Sequence, residues 1–232
     1  MPKKVETMIP EFQRNPHVGL VFSNGLITDS KLNRLGYSVW DTFRLRERDR
    51  NALMGANPLA FLIRHYSITG ATMAFRASLK ENILSIPKVW IHDAWIACLI
   101  ACQASIVAID EPLILYRQHE NNVVGGTKLS LLDRFDRVRK TTAAEITLEI
   151  SRANALLDEL KRLGGQLNFA QSLTDLSSKI AHLNARESVF YIGFSGRTRI
   201  VIGELFRLRY HRFSKGFASA FTDIFLRRRI AR

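Results

Sequence analysis

The sequence changes character near residue 127, and this change limits the possible folds more than any other feature. Before it, short β-branched runs alternate with helical runs, which is the pattern of α/β proteins. After it, helix-forming residues continue from Leu129 to Leu163 without a proline or glycine, and the run ends at Gly164-Gly165. We therefore predict an α/β domain over residues 1–126, followed by a mainly α-helical extension over residues 127–232.

Apolar runs bounded by turn residues predict a small sheet in the first part. The predicted elements are a strand at 17–23 that breaks at Asn24-Gly25, a continuation at 26–28, a polar turn at 29–36, a helix at 57–66, a strand at 67–75, a buried helix at 92–103 and two short strands at 105–109 and 113–116.

In the second part, the run 129–163 is amphipathic, so we expect it to pack on the first domain or on a partner helix. Further helices are predicted at about 170–192, 197–210 and 214–230. Four phenylalanines near the end recur every four residues and would form a stripe on one side of a helix: Phe213, Phe217, Phe221 and Phe225. Such a stripe is more often part of a core than a binding surface.

The positive charge of the chain is concentrated in its second part. The net charge is +13, and residues 128–232 hold 20 Lys and Arg against 10 Asp and Glu. This asymmetry predicts a polyanionic partner, either nucleic acid or an anionic membrane face. The N-terminal segment lacks the apolar run of a signal peptide, and no apolar run of about 18 residues occurs. We therefore expect a cytoplasmic protein that could contact the inner face of the cell membrane peripherally.

A histidine and an aspartate begin the most apolar helical run, His92–Gln103. Desolvating an unpaired carboxylate is costly, so an aspartate at this position needs a partner or a role. Asp93 could cap the helix and complement its dipole, or it could act as a catalytic base. The residues by themselves leave both alternatives open.

Two further polar clusters could contribute to a site. The segment Tyr116–Asn122 follows a strand and combines a cation, an imidazole and amides. In open α/β sheets, ligands collect beyond the carboxyl ends of strands. Thr69-Gly70 lies within a predicted strand, where a glycine allows the backbone to approach a ligand closely. Taken singly, the first of these clusters is more often a polar loop than a site, and the second is more often an ordinary buried strand with one glycine.

Taken in order, four segments resemble the second half of a family-2 glycosyltransferase of the inverting GT-A type, closest to rhamnosyltransferase-like members. The segments are VGLVFSNGLITD from Val18, ITGATMAFR from Ile68, IHDAWIACLIA from Ile91 and IDEPLILYRQHENNVVG from Ile109. The resemblance covers about residues 1–126, and more loosely the stretch YHRFSKGFASAFTDIF from Tyr210. It implies an incomplete GT-A sheet and the transfer of a sugar, with inversion, from a nucleoside-diphosphate sugar to a glycan or lipid-linked acceptor.

The resemblance also implies roles for seven residues. Asp93 matches the general base that takes the proton of the acceptor hydroxyl. The other residues would bind substrates: His92 beside the base, Trp95 as an apolar wall for a sugar face, Thr69 and Gly70 on the floor of the cleft, and Arg117 and His119 facing the donor diphosphate, with His119 as a possible metal ligand.

One part of the family pattern is missing from this sequence. The family holds Mg²⁺ or Mn²⁺ on the diphosphate with an acidic motif of the Asp-x-Asp or Asp-Asp-x-Trp kind, and no such motif occurs here. The segment Met1–Met8 resembles the stretch that follows this motif in the family. We therefore expect residues 1–232 alone to transfer little or no sugar, and a protein partner could supply the missing half.

Two alternatives come from other classes of protein. The chain could be a non-catalytic partner or a truncated remnant that docks on a complete transferase through residues 129–163. It could also bind nucleic acid through its Phe- and Arg-rich C-terminal segment, although nothing in residues 1–126 resembles a nucleic-acid module.

Overall fold

The computed structural model describes residues 3–118, 136, 138–164 and 169–226. The chain divides into two units, Met1–Lys128 and Leu129–Arg232. Each unit is described by itself below.

Unit 1 contains a small sheet and six helices among its described residues. In chain order these elements are α1 (Lys4–Arg14), β1 (Val18–Thr28), β2 (Arg34–Ser38), α2 (Val39–Phe43), α3 (Glu47–Met54), α4 (Pro58–Leu62), β3 (Met73–Phe75), α5 (Lys80–Ile83), α6 (His92–Ala101) and β4 (Ser105–Arg117), with 3-10 turns at Gly70–Thr72 and Ala77–Leu79.

The sheet is mixed, and β1 is its central strand. β1 pairs in parallel with β4 along its length, from Val18 opposite Ser105 to Thr28 opposite Arg117. It also pairs antiparallel with β3 and with β2. Helices and a mixed sheet in one unit confirm the predicted α/β class.

Two predicted strand breaks are wrong, because the strands continue through irregular pairs. β1 passes through Asn24-Gly25, where its register against β4 shifts. The side-chain oxygen Oδ1 of Asn24 accepts hydrogen bonds from the amides of Gly25 at 2.8 Å and Trp40 at 3.2 Å. β4 likewise runs as one strand through Pro112, which lies opposite Asn24 at this irregularity and so needs no regular ladder bond.

The strand predicted at 67–75 is wrong except for its last three residues. Only Met73–Phe75 pairs with β1, because Gly70–Thr72 turns as a 3-10 helix before the strand begins. The predicted buried helix is confirmed as α6. All of its residues from Ala94 to Ile100 are buried, so this helix forms part of the core of unit 1.

Unit 2 consists of helices in its described residues. They are α7 (Ala143–Leu163), α8 (Ala170–Ser188), α9 (Phe194–Phe206), α10 (Arg209–Phe213) and α11 (Phe217–Phe221), followed directly by a π-helical turn at Thr222–Leu226. None of the helices in the described ranges is both long enough and apolar enough to cross a membrane.

The long helix predicted at 129–163 does not run unbroken. Thr142 is extended and caps α7: its hydroxyl accepts from the amide of Glu145, whose side chain in turn accepts from the amide of Thr142. This capping box starts a new helix at Ala143. Residues 129–135, at the other end of the prediction, lie outside the described residues.

The helix predicted at 197–210 is two helices, since Leu208 between α9 and α10 has a positive φ of 57°. The last predicted helix begins at Phe217, because Gly216 just before it has a φ of 59°. Phe213 therefore ends one helix, whereas Phe217, Phe221 and Phe225 follow in the next helical segment.

Candidate functional site

Asp93 lies in the first turn of α6 and hydrogen-bonds in two directions. Its Oδ1 accepts from the amide of Ala94 at 2.8 Å, so the carboxylate pairs one of the free amides at the helix N-terminus. Its Oδ2 accepts from the amide of Gly70 at 3.0 Å. The carboxylate thus serves the helix, as the capping alternative expects, and also fixes α6 to the turn at Gly70.

Gly70 allows the side chain of His92 to approach the backbone closely. A Cβ atom added there would lie 3.2 Å from Nε2 of His92 and 3.6 Å from Cβ of Asp93. The His92 ring therefore lies against Gly70 while remaining largely exposed. The segments 69–70 and 92–93, which the resemblance assigns to one site, are therefore in contact.

Thr69 uses its hydroxyl inside the turn. The Oγ1 atoms of Thr69 and Thr72 lie 3.1 Å apart, and the hydroxyl of Thr72 donates to the Thr69 carbonyl at 2.9 Å. Thr69 is only 7% exposed. Its hydroxyl therefore stabilises the turn that presents Gly70 and does not line an open cleft.

The same turn lies at the carboxyl ends of the two parallel strands. Thr69 lines a small cavity of about 10 Å³ together with residues from the strand ends and from α2: Ile27, Tyr116, Gln118, Val39, Thr42 and Phe43. The amide of Gln118 donates to the carbonyl of Thr28 at 2.8 Å, which ties the end of β4 to the end of β1. The segment that begins at Tyr116 therefore meets the turn at Thr69-Gly70 at the edge where α/β sheets bind ligands.

Arg117 is separated from this cavity by the geometry of the strand. Successive strand residues point to opposite faces, so Arg117 lies on the face away from Tyr116 and Gln118 and is exposed. The predicted contact of Arg117 with a diphosphate stays a prediction. His119 lies outside the described residues.

The predicted role of Trp95 is wrong. Its side chain is 1% exposed and packs edge-on against Trp90, with ring centroids 5.5 Å apart. A ring in this position belongs to the core of unit 1 and cannot cover the face of a sugar. Its buried indole Nε1 has no hydrogen-bond partner among the described residues.

Two larger cavities in unit 1 contain none of the predicted site residues. One, of about 450 Å³, is lined by Asn24, Ser38, Trp40, Asp41, Arg44, Leu45, Arg46, Arg50 and Asp110. In it, Arg50 pairs with Asp110 at 2.9 Å and lies over the Trp40 ring. The other, of about 530 Å³, includes His17 and Ser105 and so lies at the amino ends of β1 and β4.

No group of three or more His, Cys, Asp or Glu residues in the described ranges is arranged to hold a metal ion. The acidic motif that the resemblance expects does not occur in the sequence either. Binding of Mg²⁺ or Mn²⁺ therefore stays a prediction for a complete family enzyme.

Unit 2 contains a buried polar cluster that the sequence analysis missed. The Nδ1 of His182 lies 2.8 Å from Oε2 of Glu204, and its Nε2 lies 2.8 Å from the hydroxyl of Ser214. Arg186 donates to the same hydroxyl at 3.1 Å. The donors are consistent with a neutral imidazole: Arg186 donates to Ser214, Ser214 donates to Nε2, and Nδ1–H donates to Glu204.

The order Ser, His, Glu resembles a hydrolytic triad, but the burial argues against catalysis. Ser214 is 7% exposed, His182 0% and Glu204 5%. Burial lowers the pKa of His182 below its usual 6.5; the hydrogen bond to Glu204 opposes this shift, and the charge of Arg186 adds to it. The neutral side chain of His182, on α8, hydrogen-bonds to Glu204 on α9 and to Ser214 at the end of α10. Its role is therefore to hold these helices together.

The same cluster continues to Asp223 in the π-helical turn. Arg186 donates from Nε to Asp223 at 2.7 Å and from Nη2 at 3.3 Å, and the Tyr210 hydroxyl donates to the same carboxylate at 2.9 Å. Burial raises the pKa of Tyr210, so its hydroxyl stays protonated and remains a donor. One signal in the sequence could have revealed this cluster, since charged and imidazole side chains recur at helical spacing along α8: Asp175, Lys179, His182 and Arg186.

No protein-family model, curated protein or solved structure matches this chain.

Proposed function

We propose that this chain carries the acceptor half of an inverting sugar-transfer site, with Asp93 as the general base. One observation supports the proposal most directly: Gly70 donates its amide to Asp93 Oδ2 at 3.0 Å. This bond links two of the motif segments that the resemblance assigns to one site. The turn that carries Gly70 also lies at the carboxyl ends of β1 and β4.

The hydrogen bonds leave Asp93 able to accept a proton. A carboxylate has about four lone-pair positions, and the amides of Gly70 and Ala94 use one on each oxygen. The carboxylate is half-buried, so an acceptor hydroxyl can approach it. Because both amides belong to fixed turns, the carboxylate is held in one orientation, as a base must be.

In the proposed reaction, the acceptor hydroxyl gives its proton to Asp93 as its oxygen attacks the anomeric carbon. The bond from that carbon to the nucleoside diphosphate breaks, the diphosphate leaves with the electron pair, and the configuration inverts. His92, exposed beside Gly70, is placed to contact the acceptor. Departure of the diphosphate requires a cation, for which the resemblance expects a divalent metal on an acidic motif.

The test compares Asp93→Asn with the unchanged protein, each in the form that the native cell produces. Release of nucleoside diphosphate is measured over a panel of nucleoside-diphosphate sugars with cell-derived acceptors and Mg²⁺ or Mn²⁺. We expect Asp93→Asn to lower turnover by about 100-fold or more, since general bases contribute about 10²–10⁴. Asp110→Asn is the matched control, because Asp110 is an exposed aspartate of the same unit. Equal turnover in Asp93→Asn would remove the assigned role.

The absence of an acidic motif from the sequence favours one alternative, a non-catalytic partner of a complete transferase. In that case the purified chain would show no turnover by itself, but it would co-purify with a transferase from its native cell. Asp93→Asn would then leave the turnover of that complex unchanged.

A further inference from the structure

Five phenylalanines in the described part of unit 2 are exposed although phenylalanine is normally buried, and four of them form one group. Phe194 is 61% exposed, Phe217 71%, Phe221 49% and Phe225 56%. We call these four residues the aromatic ridge. The expectation that the phenylalanine stripe belongs to a core is wrong for Phe217, Phe221 and Phe225; of that stripe, Phe213 is buried.

The ridge is continuous across two helical segments. The rings of Phe221 and Phe225 have centroids 5.0 Å apart, and those of Phe194 and Phe225 are 5.8 Å apart. Phe217 precedes Phe221 by four residues on α11 and therefore lies on the same side of that helix. An apolar surface of this kind commonly marks an interaction site.

The rings are held outward by the opposite side of the same segment. There, Ser219, Ala220, Thr222 and Asp223 are all at most 3% exposed. Asp223 is bound by Arg186 and Tyr210, and the hydroxyl of Thr222 donates to the Ser219 carbonyl at 2.9 Å. Rotating this segment so that its phenylalanines face inward would break these hydrogen bonds, so the fold holds Phe217, Phe221 and Phe225 on the surface.

The surface charge of the segment that carries most of the ridge is entirely positive. Residues 197–226 contain only two acidic residues, Glu204 and Asp223, and both are buried and paired inside unit 2. The exposed charged residues of the same range are Arg199, Arg207, Arg212 and Lys215, and of these Arg212 pairs with Asp175 at 2.8 Å. In the sequence Arg227, Arg228 and Arg229 follow, outside the described residues.

We propose that the aromatic ridge docks on the surface of an anionic lipid bilayer. Phenylalanine rings enter the region between headgroups and acyl chains, and flanking arginines and lysines attract anionic headgroups. Nucleic acid fits the ridge less well, because bases stack on open ring faces and the rings of Phe194, Phe221 and Phe225 are packed against one another. The inference depends only on unit 2 and stands independently of the proposed sugar transfer.

The experiment is sedimentation of the full chain with vesicles of phosphatidylcholine, with and without a third of phosphatidylglycerol by weight. We expect partition into the anionic vesicles that weakens as salt is raised. The double variant Phe217→Ser with Phe221→Ser should lower the partition coefficient by about 100-fold. Transfer of one phenylalanine side chain from water into the bilayer raises this coefficient by roughly tenfold or more. Lys215→Glu should lower it by about 25-fold, at roughly fivefold for each unit of charge.

The matched control is Phe206→Ser. Phe206 is 85% exposed but lies twelve residues from Phe194 along α9, or about 18 Å. We expect this variant to bind anionic vesicles like the unchanged protein. Circular dichroism of every variant verifies that the helices are retained, as expected for changes at exposed positions.

Three results would overturn the proposal. The first is a failure to bind anionic vesicles at low salt. The second is an equal loss of binding in Phe206→Ser, which would indicate general adhesion. The third is that the ridge variants lose binding to single-stranded oligothymidylate or to a protein partner while their vesicle binding is unchanged.

Discussion

Removing the charge of Asp223 is the sharpest test of how unit 2 is held together. Asp223 is 0% exposed and accepts three hydrogen bonds, two from Arg186 and one from Tyr210. Asp223→Asn keeps the shape of the side chain but leaves the guanidinium of Arg186, itself 8% exposed, without its counter-ion.

The expected cost follows from this burial. Removing one partner of a buried ion pair costs about 3–5 kcal/mol, because the other charge stays desolvated and unpaired. A domain is typically stable by about 5–15 kcal/mol, so Asp223→Asn should remove a large part of the stability of unit 2. The double variant Arg186→Met with Asp223→Leu leaves neither charge behind and should recover most of the loss.

The free energy of unfolding is measured by urea titration followed by far-ultraviolet circular dichroism, to which the helices of unit 2 contribute strongly. Asp158→Asn is the control, because Asp158 is exposed on α7 in the same unit. The reasoning fails if Asp223→Asn costs no more than the control. It also fails if the double variant is less stable than Asp223→Asn. In that case, removing the unpaired charge of Arg186 would recover less free energy than the double substitution costs.

Two further predictions concern single residues. Since burial lowers the pKa of His182 in the fold, the unfolded chain binds its proton first, and the free energy of unfolding should fall as pH drops below about 6.5, the usual value. His182→Gln should remove that part of the slope in urea titrations between pH 5 and pH 8, and an unchanged slope would contradict the assignment. Gly70→Ala should change the free energy of unfolding by less than about 1 kcal/mol, since the added Cβ meets the movable His92 ring at 3.2 Å. The same variant should shift the nuclear magnetic resonance signals of the His92 ring, and unshifted signals would show that the ring does not lie against Gly70.

Local patterns predicted the core elements of unit 1 because those patterns reflect burial directly. The run that forms α6 is apolar on nearly every side, which indicates a buried helix, and β1 is β-branched and apolar on both faces. The breaks predicted in β1 and β4 were wrong because a glycine or proline ends a strand only where the pairing has to be regular, and these two strands pair irregularly at that point. Asn24 and Pro112 lie opposite each other at one irregularity, so a single shift in pairing accommodates both.

The candidate site was predictable in part. Asp93 was a candidate because it is a polar residue at a helix start, and the segment from Tyr116 because its polar residues follow a strand. Gly70 was a candidate because a glycine lets another group approach the backbone closely. Trp95 was misplaced because its role came from the resemblance, whereas the apolar run itself predicts a helix buried on nearly every side, as the structure has it from Ala94 to Ile100. Thr69 was partly misplaced because its hydroxyl is used within a turn that the strand pattern concealed.

The sequence by itself determined the change from α/β to helical structure, the buried helix α6 and the excess of positive charge in the second part. These depend on residue type and spacing, which are local properties. Only the tertiary structure decided which polar residues face inward on α8 and which phenylalanines face outward on α11. A charged stripe and an aromatic stripe have the same period whether they face solvent or protein, and their partners come from distant positions in the chain.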